Sequence, residues 1–170
     1  MIPSILRKNL IINSLLVFLI FLFDRVSKIY VINLNNKFLG NEIFSSKFLN
    51  ITLIWNEGIA FGILSFGDKT LYNFLTILIF IIILVIVFMI IKSEGLKKYS
   101  LLIILGGALG NIFDRIYYKA VPDFIDIHIA NFHWFIFNIA DIFITLGVVF
   151  MIFLELFVNN KKDKSSHEIS

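Results

Sequence analysis

Four long apolar stretches constrain this chain more than any other feature of its sequence. They cover about residues 10–30, 71–91, 99–117 and 137–158. Each is close to the roughly 20 residues that a helix needs to cross the hydrocarbon core of a bilayer. The chain is 59% hydrophobic, whereas a soluble domain is about 45–50% apolar. We therefore predict a single integral membrane domain over residues 1–170, an all-α membrane protein with four transmembrane helices.

A fifth apolar stretch, residues 48–66, needs a different interpretation. Apolar and polar residues alternate from Leu49 to Leu53, which is the period of a half-buried strand. The segment Asn56-Glu57-Gly58 then interrupts the pattern. We predict a small extracytoplasmic β-element and loop at about residues 37–67, between the first two helices, instead of a fifth span.

Basic residues indicate how the four helices are oriented. Cytoplasmic loops of membrane proteins carry an excess of lysine and arginine, and four spans place most basic residues near helix ends on one side. We therefore predict that both termini are cytoplasmic, since a fifth span would put the lysine-rich tail outside. The residues gathered at the inner side are Arg7, Lys8, Lys92, Lys97, Lys98, Lys161, Lys162 and Lys164.

Acidic residues concentrate at the opposite, outer side, and several lie inside or at the end of a predicted helix. An ionisable residue at the bilayer centre costs roughly 2.5–3.5 kcal/mol on insertion scales and usually faces protein or water. Three helices contribute such residues at the same depth, which is the main indication of a functional site. The outer acids are Asp24, Glu42, Glu57, Asp68, Asp114, Asp123, Asp126 and Asp141.

Some of these residues have a structural explanation. Asp24 and Lys28 are four residues apart on one helix face, so we expect an ion pair, and we expect a second between Asp114 and Arg115. The spacing of two glycines at positions 106 and 110 predicts close helix approach. The residues expected to anchor the protein at the membrane interface are Trp55, Trp134, His128 and His133.

Asp141 is different, because it lies within an apolar helix and has no basic residue nearby in the sequence. Two explanations remain open. Asp141 either pairs with Arg115 or shares a proton with another carboxyl, of which Asp123 is the nearest candidate in an outer loop of strand-like character.

If the outer acids belong to a hydrolase in the membrane, the sequence excludes several kinds of catalytic site. It contains no cysteine, and hence no thiol nucleophile or thiolate metal site. It lacks a G-x-S-G-like turn, an H-E-x-x-H helix and a G-x-G-D motif. A pair of carboxylates is what remains: one stays protonated, and the other acts as the base that activates water. We accordingly expect no metal and no cofactor.

Five short motifs, in order along the chain, resemble those of the bacterial lipoprotein signal peptidase (signal peptidase II) family. FDRVSK is similar to D-x-x-[ST]-K, NEGIAFG to N-x-G-x-A-F, GGALGNIFDR to G-N-x-x-D-R, VPDFID to V-x-D-F, and FNIADIFI to F-N-x-A-D. The resemblance covers nearly the whole chain. The sequence departs from the family pattern at Ile59 and Pro122, neither of which is a candidate catalytic position.

The resemblance implies an intramembrane aspartyl endopeptidase of the bacterial cytoplasmic membrane, with Asp123 and Asp141 as its catalytic dyad at the outer face. The expected substrate is a diacylglyceryl-modified prolipoprotein, cleaved just before the lipid-modified cysteine. Membrane lipid is an expected partner, nucleic acid is not, and we expect a monomer. A stretch that ends at Gly67 is expected to act as a lid. The residues implied to bind substrate or support the dyad are Asn56, Asn111, Arg115, Asn138, Asp24, Lys28, Gly58 and Asp114.

The competing hypothesis is a small proton-coupled carrier or a channel subunit, which also places carboxylates in a helix bundle. Such a protein should distribute polar groups through the depth of the membrane to form a path. Here the second apolar stretch is interrupted mainly by Asn73 and Thr76, and the polar residues concentrate at one face.

Overall fold

The computed structural model describes residues 4–58, 69–130 and 132–159. The expected lid that ends at Gly67 lies outside these residues. The described helices are α1 (Ser4–Lys37), α2 (Lys69–Lys92), α3 (Gly95–Tyr117) and α4 (Ile139–Phe153), which continues as a π-helical segment (Leu154–Asn159). The described strands are β1 (Phe44–Ser45), β2 (Leu49–Asn56), β3 (Val121–Ile129) and β4 (Phe132–Phe137).

All four helices are long and apolar enough to span a membrane, which confirms the predicted number among the described residues. Large apolar side chains along them are exposed, for example Phe74, Phe80 and Val149. Such exposure suits a lipid environment, where the surrounding hydrocarbon is as apolar as the side chains. The candidate spans are Lys8–Lys37, Tyr72–Lys92, Gly95–Tyr117 and Ile139–Phe157.

The strands form one antiparallel sheet in the order β1-β2-β3-β4. Strand β2 confirms the strand predicted around Leu49–Leu53. The segment between α3 and α4, predicted only as a loop of strand-like character, is instead the hairpin β3–β4. It belongs to the same sheet because β3 pairs along its length with β2, from Leu49 opposite Ile127 to Asn56 opposite Val121.

Helix α3 is the centre of the bundle. It packs against α1, α2 and α4, and 56% of its most apolar stretch is buried, against 17% in each of the other three. Glycines make the contacts close, as their spacing predicted. A Cβ atom at Gly107 would lie 2.5 Å from the carbonyl oxygen of Ala140 on α4, and one at Gly110 would lie 2.5 Å from Asp24 Oδ2 on α1.

We predict that Gly107→Ala lowers the thermal stability of the protein in detergent. The added methyl group meets backbone of α4, which cannot rotate away, and overpacking of this kind typically costs about 1–3 kcal/mol. Leu96→Ala, on an exposed position of the same helix, serves as the control and should change the unfolding temperature much less. Equal effects of the two substitutions would contradict the close packing of α3 and α4.

Candidate active site

Four buried charged side chains join α1 to α3. Asp24, Lys28 and Asp114 are fully buried, and Arg25 is 7% exposed. Lys28 Nζ lies 2.9 Å from Asp24 Oδ1 and 2.7 Å from Asp114 Oδ2. Arg25 binds both carboxylates, through Nη2 to Asp24 Oδ2 at 2.7 Å and through both of its Nη atoms to Asp114. Two positive and two negative charges therefore balance, and we call this set the ion cluster.

The ion cluster also holds the start of α4. The backbone N–H of Ala140 donates to Asp24 Oδ1 at 3.0 Å. A carboxylate at this position satisfies one of the free N–H groups of a helix N-terminus and interacts favourably with the helix dipole. Asp24 therefore fixes α1 against α3 and α4 together, and its expected ion pair with Lys28 is confirmed.

The expected ion pair between Asp114 and Arg115 is wrong. Consecutive residues of an α-helix point about 100° apart, so the two side chains face different neighbours. Asp114 faces α1, whereas Arg115 Nη2 donates to the carbonyl oxygen of Gly58 at 3.1 Å. The carboxylate of Asp141 is bound by Asn111 and the backbone of Asn138. Pairing with Arg115 therefore does not explain the presence of Asp141 in an apolar helix.

Asn111 connects the ion cluster to Asp141. Its Oδ1 accepts a hydrogen bond from Lys28 Nζ at 3.0 Å, and its Nδ2 donates to Asp141 Oδ1 at 2.7 Å. The oxygen and nitrogen ends of an asparagine amide have nearly the same shape, but here the lysine can only donate and the carboxylate accepts. The two partners therefore determine the orientation of the amide, and the amide in turn positions Asp141.

Asn138 connects the two aspartates that the resemblance singled out. Its Nδ2 donates to Asp123 Oδ1 at 2.6 Å. Its Oδ1 accepts from the Asp141 backbone N–H, and its own N–H donates to Asp141 Oδ2. This reciprocal pair is a capping box that begins α4. Asn138 is fully buried, so one residue orients both carboxylates.

Strand β2 supplies the remaining partner of Asp123. Asn56 Nδ2 donates to Asp123 Oδ2 at 2.9 Å, while Asn56 Oδ1 accepts from the backbone N–H of Gly58 at 3.0 Å. The pairing of β2 with β3, which places Ile54 opposite Asp123, brings Asn56 within reach. Residues far apart in the sequence therefore converge on the carboxyl group of Asp123.

Burial raises the pKa of the Asp123 carboxyl from its usual 3.8 to about 6. Hydrogen bonds from Asn56 and Asn138 and the positive charge of Lys28 lower this pKa, whereas the negative charge of Asp141 raises it further. Desolvation is the largest contribution, because Asp123 is only 4% exposed. A carboxyl with this pKa is able to carry a proton in weakly acidic solution.

Asp123 and Asp141 line one cavity of about 220 Å³. Arg115 also lines it, and its Nε and Nη1 atoms are buried without a hydrogen-bond partner among the described residues. Buried donors without partners are uncommon in folded proteins, so the N–H groups of these two nitrogen atoms are available to a bound molecule. The polar residues around the cavity are Asn56, Asn111, Arg115, Asp123, Asn138 and Asp141.

A comparison with known proteins identifies the family. The family model for signal peptidase (SPase) II matches residues 16–157. The chain belongs to the signal peptidase II family. It is 50% identical over 155 residues to a lipoprotein signal peptidase of Pelagibacter ubique, covering 91% of this chain and 93% of that protein. It is 38% identical to one of Francisella tularensis subsp. novicida, covering 90% and 99%.

Solved structures agree with this assignment. Two structures described as bacterial membrane enzymes superpose on the chain with TM-scores of 0.71 and 0.72. Their sequence identities are 33% and 32%, and the matches cover 88% and 85% of this chain and 90% and 92% of those chains. The protein is therefore a multi-pass bacterial membrane protein.

Sequence reasoning missed Arg25, which completes the ion cluster. A signal was present, because two cations, Arg25 and Lys28, lie within four residues of Asp24, the single acid of α1. The second cation required an acidic partner on another helix, and the structure supplies Asp114. The capping-box spacing of Asn138 and Asp141 was also visible in the sequence, although it was not among the predictions.

We predict that Lys28→Met destabilises the protein, because Asp24 and Asp114 are then left with one cation. Removing one partner of a buried ion pair typically costs about 3–5 kcal/mol. The double variant Lys28→Met/Asp114→Asn restores the charge balance and should recover part of the loss. Thermal unfolding in detergent measures both effects. Additive losses in the double variant would contradict the proposed charge compensation.

We also predict a pH-dependent stability that originates at Asp123. Between about pH 4 and 6 the folded state keeps a proton that the unfolded state has lost, so stability falls as pH rises. The difference between 3.8 and about 6 corresponds to about 3 kcal/mol. Asp123→Asn should remove this contribution and so flatten the dependence of stability on pH between about 4 and 6, as measured by thermal unfolding.

Asp141→Asn is the matched comparison for this pH experiment. It removes the negative charge that helps to raise the Asp123 pKa, so the fall in stability should remain but move to lower pH. If wild type and Asp123→Asn showed the same dependence of stability on pH, the assignment of a raised pKa to the Asp123 carboxyl would be wrong.

Proposed function

We propose that this protein is an intramembrane aspartyl endopeptidase that removes the signal peptide from diacylglyceryl-modified prolipoproteins, cleaving just before the lipid-modified cysteine. Family membership supports the peptidase activity and the removal of signal peptides from prolipoproteins. The aspartyl mechanism rests on a single observation: Asp123 and Asp141 line the same small cavity and are both bound by Asn138.

The two carboxyls act as one catalytic unit. One is protonated and the other ionised, and the ionised carboxylate takes a proton from a water molecule that attacks the carbonyl carbon of the scissile bond. The protonated carboxyl first hydrogen-bonds the carbonyl oxygen. The C–N bond then breaks, and a proton passes from the dyad to the leaving amine. Because the carboxyls titrate jointly, the acid and base roles belong to the pair.

The amide groups around the cavity support this chemistry by fixing both carboxylates before substrate arrives. Asn56 and Asn138 hold the two oxygens of Asp123, and Asn111 and the Asn138 N–H hold those of Asp141. Fixed dipoles in a site that excludes most water do not need to reorganise during the reaction. We assign the free N–H groups of Arg115 to a backbone carbonyl of the substrate.

The position of the site in the bundle supports an active site toward the outer face of the membrane. The cavity lies where β2 and β3 meet the end of α3 and the start of α4. Trp55 and Trp134 on the same sheet are 42% and 60% exposed, as expected for aromatic residues at a membrane interface. We propose cytoplasmic termini, a single membrane domain, a monomer, and contact of the substrate's lipid with the surrounding leaflet.

The competing hypothesis of a carrier or channel subunit is not supported. The buried charged residues of the described chain lie on α1, α3 and the sheet, beside the start of α4. Helix α2 adds none within its described side chains, and its buried residues Leu75, Ile83 and Ile86 are apolar. A polar path along the depth of the membrane is therefore not formed by these residues.

The proposed function is tested by a gel-shift assay in detergent, with a prolipoprotein offered in its diacylglyceryl-modified and unmodified forms. We expect cleavage of the modified form only. Asp123→Asn and Asp141→Asn should each reduce turnover at least about 1,000-fold, because one carboxyl cannot serve as both acid and base. The free amine of the modified cysteine, identified by mass spectrometry of the product, locates the cleaved bond.

Glu42→Gln is the control, since it removes an exposed carboxyl outside the cavity and should keep wild-type turnover. Thermal unfolding shows whether each variant is folded. Near-normal turnover by either aspartate variant would refute the dyad, and absence of cleavage by folded wild-type protein would refute the proposed substrate.

A further inference from the structure

A second cluster of polar side chains lies on the hairpin, outside the cavity of the aspartate pair. Asp126 and His128 are on β3 and His133 is on β4, with His128 directly opposite His133 in the strand register. The two imidazole rings stack with centroids 4.9 Å apart and planes inclined by 22°. Asp126 and His128 are two residues apart on β3, so their side chains point to the same face of the sheet. One potential ligand atom of each residue lies within 4.8 Å of the others.

Two buried atoms of this cluster have no partner among the described residues. Asp126 is 6% exposed and His128 is 9% exposed. Asp126 Oδ2 lies 2.8 Å from His133 Nδ1, but Asp126 Oδ1 and His128 Nδ1 are buried without a hydrogen bond. An unsatisfied buried polar group typically costs about 1–3 kcal/mol. A simple hydrogen bond between Asp126 and His133 therefore does not explain the burial of Asp126 Oδ1 and His128 Nδ1.

The donor set matches a borderline divalent transition-metal ion. Two imidazole nitrogens and a carboxylate oxygen are common zinc ligands, with distances of roughly 2.0–2.2 Å to the ion. In tetrahedral geometry such ligand atoms lie roughly 3.3 Å from one another. Here Asp126 Oδ2 and His133 Nδ1 are 2.8 Å apart, and all three ligand atoms lie within 4.8 Å of one another. Mg²⁺ and Ca²⁺ prefer oxygen ligands, so the two histidines favour zinc.

We propose that Asp126, His128 and His133 bind a Zn²⁺ ion that joins β3 to β4 and leaves its fourth position open. The proposal departs from the expectation of interfacial anchoring for the two histidines and from the expectation of no metal. None of the three ligands lines the cavity of Asp123 and Asp141, so the ion has no place in hydrolysis. Its effect is on the hairpin.

The location gives the ion a structural consequence for the aspartate pair. Asp123 lies three residues before Asp126 on the same strand, and β4 leads directly into Asn138, the N-cap of α4. The hairpin therefore carries one aspartate and introduces the helix that carries the other. A metal ion bound by residues of both strands restrains β3 and β4 at once. A ligand that binds only the folded state also stabilises that state.

The experiment uses the full chain in detergent, purified with a histidine-free affinity tag and stripped with a chelator. Zn²⁺ is titrated by calorimetry, and Co²⁺ replaces it to give the visible absorption of a low-coordinate cobalt site. We expect one ion per chain and a rise in the unfolding temperature with Zn²⁺ but not with Mg²⁺. His133→Ala and Asp126→Asn should each weaken Zn²⁺ binding by more than about tenfold, since even an outer-shell partner contributes that much.

His167→Ala is the matched control, because His167 is the third histidine of the chain and is not one of the three proposed ligands. It should bind Zn²⁺ as wild type does. His133 is half exposed, so its replacement leaves the fold intact, and wild-type titration alone tests the site if Asp126→Asn is unstable. Absence of saturable Zn²⁺ binding by wild type, equal binding by His133→Ala, or loss of binding in His167→Ala would each overturn the proposal.

Discussion

The buried ion cluster of Asp24, Arg25, Lys28 and Asp114 is the interaction on which the rest of the structure depends. Isolated charges inside a bilayer protein carry a desolvation penalty of several kcal/mol each, and here that penalty is offset because every charge has an opposite partner. The three N–H groups of the Lys28 ammonium go to two carboxylates and to Asn111. This arrangement exists only when α1 and α3 lie side by side in one register, so the cluster specifies how the two helices pack.

The same cluster determines where the candidate catalytic groups lie. Lys28 orients Asn111, and Asn111 orients Asp141, while Asp24 holds the start of α4 through the Ala140 N–H. Each link is a hydrogen bond between groups with one possible donor and acceptor assignment. Glycines at the contacts of α3 allow the backbones to approach closely enough for these bonds. Position and polarity of the site therefore follow from helix packing.

The sequence predicts the helices well and the sheet poorly, for a physical reason. A membrane span is a local property, since about 20 apolar residues decide it, and the strand around Leu49–Leu53 shows its own alternation. The hairpin β3–β4 depends on pairing between β2 and residues roughly 70 positions later, which no local pattern contains. The side-chain partners of Asp114 were equally hidden, because they depend on which helix face meets α1. The roles of Asp123 and Asp141 came from the resemblance of five motifs.

Stability alone does not account for Asp123. Asp141 has a structural use, because its carboxylate completes the capping box of α4, and a helix cap is stabilising. Asp123 caps no helix described here, and burial raises its pKa to about 6, so its ionised form destabilises the folded protein. Perturbed carboxyls in cavities are characteristic of functional sites, and a protein retains such a local conflict where chemistry requires it.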